Sequence, residues 1–274
     1  VVTEGQYLFG PAGWSYKDWY GPVYPEKKPK NFDALRCIAE TFDFVEVNTS
    51  FYHIPSQKLT SGWVQKTRDR EHFKFWVKVY QNFTHKLTLV KDEVEPFKKS
   101  LEPLVKASKL EGLLAQFPYS FKFNPDNLNY LLTLPRAFGE FPLAIEFRHN
   151  SWNRREVFDA LRENHMIWVN IDQPVISQSL PLTASVTDEG VSYVRLHGRN
   201  YQSWFSDEGR DARYDYDYRA LELNQIAETV KKLAQLAKKI FISGNNHYKG
   251  SAVKNLKELK KLLTDPGILH REDG

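Results

Sequence analysis

A chain of 274 residues has room for one large domain or two ordinary ones. With 41% apolar and 26% charged residues it falls among globular proteins, and no run approaches the roughly 20 consecutive apolar residues of a bilayer helix. Its 38 basic and 34 acidic residues leave a net charge of +4, too slight to mark a nucleic-acid footprint or to choose a partner.

Val1–Tyr7 carries neither a basic residue nor the apolar stretch of an export signal, so a cytoplasmic location and no membrane association are expected. The first strand is read at Tyr7–Gly10, followed by a loop rich in Trp and Tyr and a helix over Phe32–Thr41. Cys37, the single cysteine, falls in that helix as a small hydrophobe with no redox role. Strands follow at Asp43–Asn48 and Phe73–Val79, then a helix over Val94–Lys109 and strands at Leu113–Phe117 and Leu143–Phe147. A helix over Arg154–Asn164 leads to strands at Ile167–Asp172 and Val191–His197. The helix Ala220–Lys239, the strand Ile240–Asn245 and the helix Ser251–Leu263 complete the series. The strands are β-branched and aromatic, and the helices repeat Leu, Ile, Val and Ala at steps of three and four. Eight βα units in about 250 residues predict an α/β fold, a single parallel eight-stranded (β/α)8 TIM-type barrel. An open doubly wound sheet is the alternative, and no glycine-rich dinucleotide fingerprint follows any strand to support it. One domain is expected over 1–274, with 264–274 as a flexible tail.

Alternation along the strands assigns faces, because side chains at i and i+2 point the same way. Val45 and Val47 oppose Glu46 and Asn48; Ile145 and Phe147 oppose Glu146 and Arg148. Val169 and Ile171 oppose Asn170 and Asp172, while Val194 and Leu196 oppose Arg195 and His197. If the apolar sets cover the helices, the polar sets point inward, joined by Lys78, Gln116 and Asn245. All lie at C-terminal strand ends, where barrel enzymes assemble their sites.

The segments GPAGWSYKDWYGPVYP, FVEVNTSFYHIPS, VKVYQNFTH, LLAQFPYSFKF, LAIEFRHNSW, YVRLHGRN and GNNHYKGSAVKN, in this order, closely resemble the YecE-like family. The resemblance runs from Gly10 to about Leu263 and implies a TIM-barrel-like fold; it carries no established reaction, and a barrel alone does not define one. Some members look similar in architecture to endonuclease IV and xylose isomerase barrels, but the histidine-rich tri-metal pattern of such nucleases is missing from this sequence.

Glu46, Glu146, Asp172 and His197 are the candidate catalytic groups, for acid/base chemistry on an anionic, phosphorylated or sugar-like small molecule. Trp14, Asn48, Tyr52, Lys78, Gln116, Arg148, Trp152, Arg195, Asn245 and Asn246 are the candidate substrate contacts. Aromatic residues make up 14% of the chain, and Trp19 and Trp204 join Trp14, Tyr52 and Trp152 as rings that either stack on a ligand or anchor loops. Arg199, Lys249, Gly250 and Ser251 form a candidate phosphate site at the start of the last helix. The same acids and cations admit a purely structural reading, a buried salt-bridge network closing the barrel. No cofactor is expected; Lys78, Arg148 and Arg195 among the acids argue against a divalent metal. No HExxH, P-loop, CxxC or GxSxG pattern occurs. Two further readings stand beside the enzyme: a nucleic-acid-binding or phosphodiester-cleaving protein, and a ligand-binding protein without catalysis. Salt dependence of oligonucleotide binding separates the first, and turnover separates the second.

Overall fold

The computed structural model describes residues 5–202 and 214–265. Eight strands are present: β1 (Gln6–Pro11), β2 (Phe44–Val47), β3 (Lys74–Lys78), β4 (Leu110–Gln116), β5 (Leu143–Glu146), β6 (Met166–Asp172), β7 (Val191–Leu196) and β8 (Lys239–Gly244). They pair in parallel in the order β1-β8-β7-β6-β5-β4-β3-β2. Between β1 and β2 an Ala12–Glu46 bridge and the bond from Asp43 N–H to Phe9 O, 2.9 Å, nearly close the barrel. Glycine is required at this seam, because a Cβ on Gly10 would lie 2.2 Å from the Phe44 carbonyl oxygen. Each of the eight strand expectations meets a strand, displaced by at most three residues at an end: β4 begins at Leu110 instead of Leu113.

The outer layer comprises α1 (Ala34–Thr41), α2 (Gln57–Lys66), α3 (Lys91–Lys106), α4 (Pro125–Leu131), α5 (Leu134–Phe138), α6 (Arg155–Glu163), α7 (Ala220–Ala234) and α8 (Ser251–Thr264). Amphipathic spacing explains their docking: α6 buries Val157 and Leu161, and α7 buries Leu223, Ile226, Val230 and Leu233. Helices α2, α4 and α5 escape the periodicity reading because they are short or polar; local caps mark two of them. Ser56 Oγ accepts from Leu59 N–H at 3.2 Å to start α2, and Asn124 Oδ1 accepts from Asn127 N–H at 2.8 Å to start α4. The helix expected through Lys239 stops at Ala234, where the incoming N-terminal segment takes over: Gly5 N–H bonds Ala234 O at 2.9 Å and Gln6 N–H bonds Lys238 O at 2.8 Å. Thr264, expected in the tail, ends α8, and residues beyond Asp265 lie outside those described.

The sixth unit departs from the βα pattern. Between β6 and β7 no helix forms, and the segment 173–190 is tied to the outer face of β6 by side chains instead. Asn170 Oδ1 accepts from Thr183 Oγ1 at 2.8 Å and Ser185 N–H at 2.9 Å, and Thr187 Oγ1 bonds Met166 O at 2.7 Å. Trp168 Nε1 donates to Thr183 Oγ1 at 2.9 Å. Polar residues on a strand's outer face are satisfied here because the covering chain is irregular backbone rather than an apolar helix face.

The barrel interior holds an aromatic plug at its centre. Trp76 stands edge-to-face with Tyr193 at 4.7 Å and Phe241 at 5.3 Å, and Phe44 meets Phe241 at 5.2 Å. Gly112 leaves the room for this indole, since a Cβ there would come within 2.4 Å of it. The plug seals the lower barrel, and the charged layer sits immediately above it. Among the described residues no helix is long and apolar enough to cross a membrane.

Candidate functional site

Strand register places Glu146 beside Gln116 and Arg195 beside Ser243, all facing inward above the aromatic plug. Arg195 is the hub of this layer. Its Nε donates to Glu46 Oε2 at 2.8 Å, its Nη2 to Glu46 Oε1 at 2.5 Å, and its Nη1 to Glu146 Oε2. Tyr193 Oη and Ser243 Oγ also donate to Glu46, at 3.1 and 3.0 Å. Arg148 Nε closes on Glu146 Oε1 at 2.6 Å. Two carboxylates thus meet two guanidiniums, and buried charge survives because each is paired with an opposite charge.

Burial on its own would raise the Glu146 carboxyl, but Arg148 and Arg195 outweigh it and hold the group well below its usual range. Burial likewise opposes the Arg195 charge, and Glu146 and Glu46 overcome it, raising its pKa. His197 is fully buried, with Nδ1 2.9 Å from the Asn245 amide nitrogen and Nε2 3.3 Å from Glu146 Oε1. Burial and then Arg148 push this imidazole down to about 3, so it is neutral, with the Asn245 amide donating to Nδ1 and the ring proton on Nε2 toward Glu146.

Above this layer opens a narrow mouth pocket, lined by Tyr16, Asn48, Phe51, Tyr52, Lys78, Gln116, Arg148, Arg195, Tyr214, Asn245 and His247. Its walls present three cationic side chains, Lys78, Arg148 and Arg195, and no carboxylate. Glu46 and Glu146, with no exposed surface, sit behind the arginines. Lys78 Nζ donates to Gln116 Oε1 at 2.7 Å and stands 4.2 Å from the centre of the Phe51 ring. Among the described residues no carboxylate is within ion-pair reach of it. Burial first and then Arg195 bring its pKa down to about 7, with Glu146 and Glu46 opposing from a distance. Asn48 Oδ1 is buried without a hydrogen-bond partner, an acceptor open to a ligand donor. His247 stacks on Tyr16 with centroids 4.4 Å apart, forming the opposite wall. A wider groove continues from Tyr16, Asn48 and Tyr52 to Trp14, Leu59 and Trp63.

Of the candidate residues, Asn48, Tyr52, Lys78, Gln116, Arg148, Arg195 and Asn245 gather at the pocket, while Trp14 lines the adjoining groove. Glu46, Glu146 and His197 join the same inward cluster but lie beneath its wall.

Asp172 is a correction. Register pairs Asp172 with Leu196 and Ile171 with Arg195, so Val169 and Ile171 face inward while Asn170 and Asp172 face outward. Asp172 there accepts from Tyr218 Oη at 2.6 Å and from Arg199 Nη2 at 2.7 Å. Arg199 is thereby committed to Asp172, with Glu222 of α7 3.6 Å away, and does not share a site with Lys249. Lys249, Gly250 and Ser251 line a separate shallow groove, where Lys249 N–H already donates to Asp18 Oδ2 at 2.6 Å; the candidate phosphate site is not assembled.

Asn246 points to the helix side, bonding Tyr216 O and Asn255 Oδ1, both at 2.8 Å. Trp152 is fully buried outside the barrel, stacked on Phe147 at 4.3 Å with Nε1 donating to Phe121 O at 2.6 Å. Trp19 is an anchor of the same kind, donating to His247 O at 2.6 Å. Trp204 lies outside the described residues. Tyr16, Phe51, Tyr214 and His247 were not expected in the pocket; they sit on loops beyond the strand ends, where no alternation signals a direction. No group of three or more His, Cys, Asp or Glu among the described residues is placed to hold a metal ion.

The fold and the site together define a TIM-type α/β barrel with a polar, cation-lined mouth. The chain belongs to the DUF72 family: the family described as "Protein of unknown function DUF72" matches residues 8–272. It is 33% identical over 269 residues to the UPF0759 protein YunF of Bacillus subtilis, covering 93% of each chain. Among solved structures, a DUF72 family protein from Thermotoga maritima is 35% identical with a TM-score of 0.83, over 95% of this chain and 100% of that one. Another from Enterococcus faecalis is 28% identical with a TM-score of 0.82, over 94% of this chain and 95% of that one.

Proposed function

We propose that the chain is an enzyme acting on a small anionic, hydroxyl-bearing molecule held in the barrel mouth. The observation that carries this reading is the wall chemistry, three cationic side chains with no facing carboxylate in one recess at the barrel mouth. A narrow recess closed in by strand ends suits a small ligand better than a nucleic-acid strand. Arg148 and Lys78 neutralise the anion, the Asn48 carbonyl oxygen accepts from a substrate hydroxyl, and Tyr16 and Tyr52 flank the entrance.

Proton transfer in this reading falls to Lys78, the pocket-facing group that titrates near neutrality. Glu46, Glu146 and His197, expected as the acid and base, act instead as positioning residues that fix Arg148, Arg195 and Asn245 from behind.

Isothermal calorimetry with inorganic phosphate tests the reading against a single-stranded oligonucleotide. Saturable phosphate binding lost in Lys78→Met and weakened at least about tenfold in Arg148→Ala supports it. Tight oligonucleotide binding with a steep salt dependence and no phosphate binding would overturn it in favour of a nucleic-acid protein.

A further inference from the structure

The arrangement around Lys78 is unusual for a lysine whose only task is to hold an anion. An ammonium placed for charge alone gains from a nearby carboxylate, yet both inward carboxylates are taken by arginines. Every element packed about Lys78 contributes to this balance: Arg195 from β7, Glu146 and Arg148 from and just after β5, Glu46 from β2, and His85 from the segment after β3. His85 is itself pushed down to about 4, by burial and then by Lys78, so it adds no negative partner. What Nζ does touch is a neutral amide oxygen and an aromatic ring, in the cation-lined mouth pocket. Gln116 is fixed in turn, since its Nε2 donates to Phe117 O at 2.7 Å and leaves Oε1 to receive Nζ. A desolvated amine held in one place beside other cations is the setting that makes lysine a nucleophile.

We infer that Lys78 attacks the carbonyl carbon of an anionic aldehyde or ketone in the mouth pocket and forms an imine with it. This inference rests on the anion-binding reading above and names the substrate class that the reading leaves open. The neutral amine forms the new C–N bond as the carbonyl π bond breaks, and a proton passes from nitrogen to oxygen to give a carbinolamine. The C–O bond then breaks, the hydroxyl takes one further proton and leaves as water, and a protonated imine remains. Amine, carbonyl and one proton thus balance imine cation and water, with no oxidant or reductant required. The imine then serves as an electron sink for breaking a bond at the neighbouring carbon.

Reduction with sodium borohydride traps the imine as a stable secondary amine. The full chain is incubated at pH 7.5 with glyoxylate, pyruvate or dihydroxyacetone phosphate in turn, reduced, and mapped by peptide mass spectrometry. At least one probe is expected to label Lys78 at least about tenfold faster than any exposed lysine, because at this pH exposed lysines are almost wholly protonated. Inorganic phosphate is expected to protect Lys78 alone, and the label is expected to vanish in Lys78→Arg. Should Lys78→Arg fail to fold, the phosphate protection and the acid-side loss of labelling rate near pH 7 in the unmodified chain decide the matter. Labels spread over surface lysines, or none at all, with phosphate still bound would overturn the imine and leave the anion pocket standing. Absence of both labelling and phosphate binding would overturn the underlying reading as well.

Discussion

Lys78 carries a charge that the fold makes expensive, and that cost has a sign that can be measured. Its pKa lies at about 7 in the folded chain, against about 10.4 in an unfolded one. Between those values the unfolded state binds more protons, so stability rises with pH from about 7 to about 10. Below pH 7 the full penalty is present. Lys78→Met removes it, and the variant is expected to be more stable than the parent by roughly 4–5 kcal/mol at pH 6, with the advantage fading toward pH 10. Urea denaturation at the two pH values reads this directly, and a pH-independent difference would contradict the depressed amine. Glu146 works in the opposite direction. Its folded pKa is held low, so its contribution is present above the ordinary carboxylate range and is lost as pH falls through the folded value. Glu146→Gln takes a carboxylate away from both Arg148 and Arg195, and is expected to lose about 3–5 kcal/mol at neutral pH, with the gap to the parent narrowing under acid. The same substitution removes a charge that raises the Lys78 pKa, so borohydride trapping in that variant is expected to persist to lower pH.

Strand β6 shows how a unit can reverse the usual rule for its faces. Val169 and Ile171 fill the barrel beside Glu146 and Arg195, while Asn170 and Asp172 look outward to an irregular segment and to Arg199. The outward amide replaces the apolar contacts that a covering helix would supply in the other units. Asn170→Ala strands Ser185 N–H and Thr183 Oγ1 without their acceptor and is expected to cost about 1–3 kcal/mol. Because Asn170 is on the far side of the strand from the pocket, phosphate affinity in that variant is expected to match the parent. Paired chemical denaturation and calorimetry check both halves, and a coupled loss of affinity would show that the two faces of β6 are not independent.

The barrel keeps its charges in layers, with apolar rings below, paired ions above them and Lys78, which among the described residues has no carboxylate within ion-pair reach, at the mouth. A net charge of +4 over 274 residues hides this concentration, since most surface charges offset one another while three cations converge on one cavity. Ligands that fill the mouth bind the folded chain alone, so they stabilise it by mass action. At about one hundred times its dissociation constant, an anion adds roughly 2.7 kcal/mol, which for a chain of this size is a rise of several degrees in Tm. Differential scanning fluorimetry across a phosphate series is expected to show that rise at constant ionic strength, and sodium chloride at matched ionic strength is expected to show little.

The strands, their parallel order and the barrel they form were legible because β-branched runs alternate with amphipathic helices, a pattern that depends only on residue type and spacing. Glu46, Glu146, Arg148, Arg195, His197 and Lys78 were legible as one inward set for the same reason. Which face of a strand is inward is a different matter: a period of two separates the faces without saying which one meets the core. For β6, Asn170 and Asp172 were assigned to the wrong side, because the segment that satisfies Asn170 lacks periodicity and the partners of Asp172, Arg199 and Tyr218, are distant in sequence. Asn246 and Trp152, just past strand ends, turned away from the mouth as backbone direction changed, and Tyr16, Phe51, Tyr214 and His247 turned into it on loops. Only the tertiary structure decided that Glu146 and His197 lie sealed beneath the pocket while Lys78 faces it. Ionisation depends on solvent and on charges brought within a few ångströms, and both are set by contacts between strands far apart in the chain.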